Sequence, residues 1–237
     1  MRDVNIIIPV YNEERIIKEV VEEWIDTLNE LKIDYLIKVY NDGSTDNTLT
    51  RLNELKHDYP VVLEVIDKKN EGHGPTIIRG YQESHDSEWV FQLDSDNEIS
   101  ASYFVAFWNS RNEYDFILGK RLGRGNSYIR IIMSKVSSWL VAICYGNGVN
   151  DVNSPFRLFR NEVFIPHFQQ IPDSVFAPNI ILSGVATKNK MRIKSIVVNN
   201  VTNTKTASSL GESKYKLFKI SWRSFTEVVQ YAFKTRS

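Results

Sequence analysis

The sequence predicts an α/β fold, a doubly wound and mostly parallel sheet with helices on both faces. Three observations predict it. Within the first hundred residues, short runs rich in Ile and Val alternate four times with longer stretches of helical spacing. The short runs are almost continuously apolar, as strands buried on both faces are. Each run also ends in a polar cluster, at the strand edge where such sheets bind ligands.

Taken in order, Val4 to Val10 (VNIIIPV) is the first strand, with Pro9 closing its hydrogen-bonding ladder. Glu13 to Leu31 carries Ile16, Ile17, Val20, Val21, Trp24, Ile25, Leu28 and Leu31 at helical spacing. Tyr35 to Tyr40 is a second strand, ending in the turn residues Asn41-Asp42-Gly43-Ser44-Thr45-Asp46. Leu49, Leu52 and Leu55 mark the next helix, and Val61 to Ile66 a third strand. The loop Asn70 to Gly74 leads to a helix with Pro75 in its first turn. Trp89 to Leu93 is the fourth strand, and it runs into Asp94-Ser95-Asp96-Asn97-Glu98.

After about residue 100 the alternation weakens. Tyr103 to Asn112 reads as a helix, Phe116 to Leu118 as a strand, and Gly123-Arg124-Gly125 as a basic loop. Tyr128 to Tyr145 reads as a long apolar helix, either a core helix or an interfacial one with Trp139 at the level of lipid headgroups. Asp151 to Arg157 reads as a loop that enters Leu158-Phe159, Phe176 to Ala186 as helical, and Arg192 to Val198 as a strand. Asn199 to Ser209 is a polar loop, and Lys214 to Lys234 a basic amphipathic helix.

The chain of 237 residues has zero net charge and one cysteine, Cys144. A lone cysteine excludes an intrachain disulfide and fits a reducing cytoplasm. Met1 to Asn5 leads straight into the first strand, so no signal peptide is expected. No apolar run reaches the roughly 18–20 residues that span a bilayer. From Lys188 onward, eleven Lys and Arg stand against two acids, Glu212 and Glu227. Such asymmetry points either to a basic tail facing an anionic surface or ligand, or to a solvated helix face packed on an acidic body.

Asp94, Asp96 and Glu98 are the strongest chemical signal. Three carboxylates within five residues repel one another and resist desolvation unless a cation joins them. Mg²⁺ or Mn²⁺ would resolve this, since a hard ion takes carboxylate oxygens and completes its shell with phosphate and water. The competing reading is a solvated turn whose Asp caps the following helix.

At this point several stretches resemble family 2 glycosyltransferases. Ile6 to Glu14 (IIIPVYNEE) looks like that family's first strand, Asn41 to Thr48 (NDGSTDNT) like its second signature, and Asp94-Ser95-Asp96 like its D-x-D. Gly119-Lys120-Arg121, Arg130 with Ser134, and Asp151 followed by Ser154-Pro155-Phe156-Arg157 resemble the polyprenyl-phosphate (dolichol-phosphate) sugar synthase branch. The resemblance implies a GT-A fold, a UDP- or GDP-sugar donor, a divalent metal and inversion at the anomeric carbon. It implies a catalytic domain over 1–200, with a nucleotide half over 1–100 and an acceptor half over 101–200. Residues 201–237 then form a basic loop and a terminal amphipathic helix.

By this resemblance Pro9, Tyr11, Glu13 and Asp42 take the nucleotide base, and Asp94 with Ser95 the remainder of the nucleotide. Asp94, Asp96 and Glu98 take the metal, Glu98 standing where the branch often has Gln. Arg121, Arg130 and Ser134 take the acceptor phosphate, with Lys205 standing in for an Arg usual in the later loop. Arginine forks suit phosphate, and Arg130 and Ser134 share a helix face. Asp151 and Arg121 are the catalytic candidates. A hydroxyl acceptor would need Asp151 as a base, whereas a phosphate is already an anionic nucleophile. Pro155 also departs from the branch, where Gly is usual.

The expected function is transfer of a sugar to a polyprenyl phosphate, by an enzyme peripheral to the cytoplasmic membrane face. The alternatives are transfer to a hydroxyl of a surface polysaccharide or lipid-linked glycan, and a nucleotide-sugar-binding module without catalysis. A nucleotidyltransferase would place a basic, glycine-rich loop after the first strand, where Tyr11-Asn12-Glu13-Glu14 is acidic. Nucleic acid is not an expected partner, because the strand ends that would form its groove are acidic.

Overall fold

In a computed structural model of the chain, described for residues 1–122, 139, 142–146, 151–199, 223 and 226–231, seven strands form one sheet in the order β3-β2-β1-β4-β6-β5-β7. The strands are β1 (Arg2–Val10), β2 (Tyr35–Asp42), β3 (Leu63–Lys68), β4 (Ser87–Gln92), β5 (Phe116–Leu122), β6 (Arg157–Arg160) and β7 (Ile193–Asn199). Strands β1 to β4 are mutually parallel, β6 runs antiparallel to both neighbours, and β5 pairs in parallel with β7. The sheet grows outward from β1 to β3, and β4 then returns to the other side of β1. The direction of winding therefore reverses between β1 and β4, and a crevice opens at their carboxyl ends.

Period-two alternation sorts β1 between two cores. Val4, Ile6, Ile8 and Val10 face one layer, built by α1 (Ile17–Glu30), α2 (Thr48–Asp58) and α4 (Phe104–Ser110). Ile7 faces the other, built by α3 (His73–Gln82), α5 (Asn161–Phe168) and α6 (Pro178–Lys188). Because both faces are covered, the strand is apolar from Ile6 to Val10. In the first layer Phe91 lies edge-on to Phe104 and Phe156, with ring centres 5.0 and 4.7 Å apart. This cluster packs directly behind the end of β4.

The six expected strands are present, with ends shifted by a few residues, and β6 is a seventh that the sequence reading took for the end of a loop, its four residues being too few to show a period. Pro9 does not end β1, which continues to Val10 in register with Asn41. The helix α5 escaped the sequence reading, because it has only eight residues with Pro166 inside it. Pro178 at the first position of α6 fixes that helix's start two residues later than Phe176. The Gly123–Gly125 loop, most of the expected 128–145 helix, the 203–209 loop and most of the 214–234 helix lie outside the described residues.

One buried cation organises the second half. Arg157 is fully buried opposite Gln92. Its Nε donates to the Ser154 carbonyl at 2.9 Å, Nη1 to that of Asn179 at 2.9 Å, and Nη2 to those of Val152 at 3.2 Å and Ser154. Burial lowers its pKa to about 10, so it stays charged at neutral pH with carbonyl dipoles as its hydrogen-bond acceptors. Loop 151–155 and the start of α6 are thereby tied to β6. Arg157→Ala is expected to destabilise the fold by about 3–5 kcal/mol, since it strands the buried Ser154 carbonyl, removes a donor from those of Val152 and Asn179, and opens a cavity. Urea unfolding with an unchanged m-value is the measurement.

Candidate active site

The crevice is built from the residues that follow β1, β2 and β4. After β1, Asn12 adopts φ 57°. Its Oδ1 accepts the Thr45 N–H at 2.7 Å, and its own N–H donates to Ser44 Oγ at 3.0 Å. Glu13 N–H donates to Thr48 Oγ1 at 2.8 Å. The β1 and β2 loops are thus laced together, which leaves Tyr11 exposed at the rim and half-buries Glu13. Burial, with the Asp46 charge in addition, raises the Glu13 pKa to about 6. Pro9 is buried within β1, and its place is that of a wall.

Asp42 has a duty the sequence reading lacked. It is 4% exposed, and its carboxylate accepts the Glu71 and Gly72 N–H groups, each at 2.9 Å, and the buried Lys68 ammonium. Burial opposes its ionisation, but Lys68 and the two N–H groups prevail and hold its pKa below the ordinary value. Asp42 therefore shapes the 69–72 loop from beneath, with most of its lone pairs already engaged. Lys68 was not singled out in the sequence, although its register opposite Asp42 forces the pairing.

The acids after β4 lie where the winding reverses. Asp94 Oδ1 is buried without a hydrogen-bond partner among the described residues, and His73 Nε2 lies 3.5 Å away. Ser95 is buried. Asn97 takes φ 53° and turns the chain, so that Asp96 Oδ1 accepts the Glu98 N–H at 3.1 Å. The far end of the turn is pinned to α1, where Glu23 accepts from Ser100 Oγ at 2.7 Å and Ala101 N–H at 2.9 Å. Burial, then the charges of Asp94 and Glu98, and more weakly Glu13, raise the Asp96 pKa to about 7.

Among the described residues, no three His, Cys, Asp or Glu side chains converge closely enough to hold a metal by themselves. The expected three-acid set is therefore not preformed, which is the arrangement mutual repulsion favours when no cation joins the carboxylates. The orphaned Asp94 oxygen and the elevated Asp96 still fit a hard cation. Such an ion would draw its remaining ligands from a diphosphate and water.

The acceptor-side residues meet these acids. A small cleft is lined by Asp94, Asp96, Glu98, Arg121, Pro155 and Phe156, among others. Arg121 and Asp151, expected to play separate roles, are partners: Nε reaches Oδ2 at 3.0 Å and Nη2 reaches Oδ1 at 3.2 Å. Nη2 also donates to the Asn153 carbonyl at 3.3 Å. Both side chains are largely buried. Arg130, Ser134 and Lys205 lie outside the described residues.

The fold agrees with the comparisons. The model of the family described as Glycosyl transferase family 2 matches residues 5–168. The chain belongs to that family. A protein of Proteus mirabilis named undecaprenyl-phosphate 4-deoxy-4-formamido-L-arabinose transferase is 25% identical over 219 residues. The match covers 92% of this chain and 64% of that protein, so the chain spans somewhat under two thirds of its relative. A protein of the same name from Serratia proteamaculans is 23% identical, with 93% of this chain and 65% of that one covered. Among solved structures, glucosyl-3-phosphoglycerate synthase of Mycobacterium tuberculosis superposes with a TM-score of 0.67 at 15% identity. That match covers 98% of this chain and 80% of the other, whose structure is a complex with Mn²⁺, UDP-glucose and phosphoglyceric acid. TarS of S. aureus gives 0.56 at 22% identity, over 82% of this chain and 58% of that one. At these identities the two structures support the GT-A fold alone.

The crowding of acids has a measurable cost. Because the Asp96 pKa is raised to about 7, its ionisation opposes folding: the penalty is absent below pH ~4 and develops as pH rises towards 7. Asp96→Asn is therefore expected to raise the melting temperature of the metal-free protein at pH 8 by several degrees, at roughly 2–4 °C per kcal/mol. The gain should vanish near pH 4, and Mn²⁺-dependent nucleotide binding should be lost. Thermal scans at the two pH values and calorimetric titration check this.

Proposed function

We propose that the chain is an inverting, metal-dependent glycosyltransferase that moves a sugar from a UDP- or GDP-sugar to a polyprenyl phosphate at the cytoplasmic face of a membrane. The observation that carries this reading is the Arg121–Asp151 pair, in a cleft shared with the acids after β4. A carboxylate in a two-point hydrogen bond with a guanidinium is a weak base, so the acceptor side is ill-suited to deprotonate a sugar hydroxyl. It is suited to an acceptor that arrives already ionised.

The chemistry divides between the two sides of the cleft. Asp94, Asp96 and Glu98 would hold Mg²⁺ or Mn²⁺, which when bound would supply charge neutralisation for the departing nucleoside diphosphate. Pro9, Tyr11 and Glu13 wall the base side, and the loop that Asp42 organises closes it. Arg121 presents Nη1, which carries no hydrogen bond among the described residues, to the acceptor phosphate. A phosphate oxygen attacks the anomeric carbon, the carbon–oxygen bond to the diphosphate breaks, and the configuration inverts. No proton need be removed, since a phosphate monoester is ionised near neutral pH. Undecaprenyl phosphate, named for the Proteus and Serratia relatives, is an acceptor of the required chemistry.

Attachment to the membrane is peripheral in this proposal. Among the described residues no helix is long and apolar enough to cross a bilayer. The helical residues Trp139 and Ile143 are 66% and 58% exposed, and a separation of four puts them on one face. Tyr145 Oη, on the same segment, donates to the Val228 carbonyl at 3.0 Å, which brings the basic terminal segment alongside. An apolar face on a chain whose sequence after Lys188 is rich in Lys and Arg suits an anionic lipid surface.

Two measurements test the proposal. Asp151→Asn should retain transfer to undecaprenyl phosphate within about tenfold, whereas loss of a true general base costs 10²–10⁴-fold. A loss of the larger size would mean a hydroxyl acceptor, and no transfer or donor hydrolysis by the unsubstituted chain would mean a binding module. In flotation with anionic liposomes, Trp139→Ala should weaken a binding that is itself reduced at high salt. Failure to float at any salt concentration contradicts membrane attachment.

A further inference from the structure

We propose that Glu227, on the terminal helical segment, is a positioning residue for the donor side of the crevice, an inference that rests on reading the Asp42, His73 and Asp94 loops as the nucleotide site. Helix α6 starts at Pro178 with Ala177 as its N-cap, and it has neither a capping side chain of its own nor an acid in its first turn. The Ile180 and Ile181 N–H groups turn back to the Ala177 carbonyl, at 3.2 and 3.4 Å, so it is the N–H groups leading into the helix, of Phe176 and Ala177, that call for an outside acceptor. Glu227 supplies one from some fifty residues away in sequence, accepting the Phe176 N–H at 2.8 Å and the Ala177 N–H at 3.3 Å. Arg223 fixes the carboxylate through Nε at 3.1 Å, and its Nη2 donates to the Ser174 carbonyl at 2.9 Å. The guanidinium also lies 5.5 Å from the centre of the Phe176 ring. Together these contacts clamp residues 174–177.

That segment is the surface on which the donor loop rests. A Cβ on Gly74 would stand 2.3 Å from the Val175 carbonyl oxygen and 2.6 Å from that of Phe176, so the start of α3 touches this backbone directly. Beside Gly74, His73 Nε2 lies 3.5 Å from Asp94 Oδ1, and Gly72 and Glu71 hang from Asp42. A second route leaves the same end of α6. Asn179 Oδ1 lies 3.0 Å from Tyr81 Oη, and Tyr81 hydrogen-bonds Gln92, two residues before Asp94. Movement of 174–177 is thus transmitted to the 71–74 loop by backbone contact and to β4 through Tyr81. Glu227 is one of only two acids after Lys188, and its use here explains an acid within so basic a segment.

The test compares full-length Glu227→Ala and Glu227→Gln with the unsubstituted chain. Gln keeps an acceptor for the Phe176 and Ala177 N–H groups, and Ala keeps none. Amide hydrogen exchange without ligand should quicken in Glu227→Ala at residues 174–180 and also at 72–76, and recover in Glu227→Gln. Exchange at 98–104, pinned separately by Glu23, should not change. Affinity for UDP and for GDP, each with Mn²⁺, should fall about three- to tenfold in Glu227→Ala, the size that loss of a cap implies, and recover in Glu227→Gln. Faster exchange confined to 174–180, with affinity unchanged, would reduce Glu227 to a cap for α6 and overturn the proposal. If the unsubstituted chain binds neither nucleotide, the nucleotide reading fails; exchange at 72–76 still decides whether Glu227 holds that loop.

Discussion

Like charges forced together at the carboxyl end of β4 are the constraint on which the site depends. Glu13 from the β1 loop and Asp94, Asp96 and Glu98 from the β4 turn share one end of the sheet, and burial with these neighbours lifts the Asp96 pKa to about 7. Such a cluster persists in a folded protein because other structure holds it there. Glu23 ties down one end of the turn, the β1 and β2 loops are stitched together by Asn12, Ser44 and Thr48, and the Phe91 cluster backs β4. In the proposed function, that excess negative charge would be balanced by a cation and, through it, would hold a diphosphate.

A complementary constraint governs the other side of the cleft. Arg157 gathers the 152–154 carbonyls and the start of α6 around a buried positive charge, and this fixes the loop that carries Asp151. Asp151 in turn orients Arg121 toward the acids. The acids after β4 and Arg121 line one cleft, the acids on what the proposed function makes its donor side and the arginine on its acceptor side. Two anions brought together by such a site would each find a cation of their own. The favoured acceptor follows from that electrostatic arrangement, since an ionised nucleophile needs charge compensation more than a base.

The first hundred residues were nearly transparent in the sequence. Their strands are continuous apolar runs, their turns carry Asn-Asp-Gly chemistry, and local pattern and tertiary role coincide there. Legibility fell where long-range contacts decide the outcome. Asp42 reads as a ligand for a base, yet its carboxylate is mostly engaged by Lys68 and the 71–72 backbone, through a cross-strand register that a local motif does not display. Arg121 and Asp151 read as separate agents because thirty residues lie between them in sequence. Helix α5 was hidden by its brevity and by Pro166. The basic tail was legible only as an excess of charge, and the packing of Val228 and Tyr231 against the body shows part of it to be an integral layer of the second core.

The central claim is that the acids after β4 bind a nucleoside diphosphate through a divalent cation. It is tested most directly by calorimetry of UDP and GDP binding near pH 6.5, with and without Mn²⁺, in two buffers of different ionisation enthalpy. At that pH, Asp96, with a pKa raised to about 7, is largely protonated, so cation binding must expel its proton. Nucleotide binding that requires Mn²⁺ and releases up to about one proton is the predicted result. Binding of equal strength without Mn²⁺, or without proton release, would contradict the role given to these carboxylates.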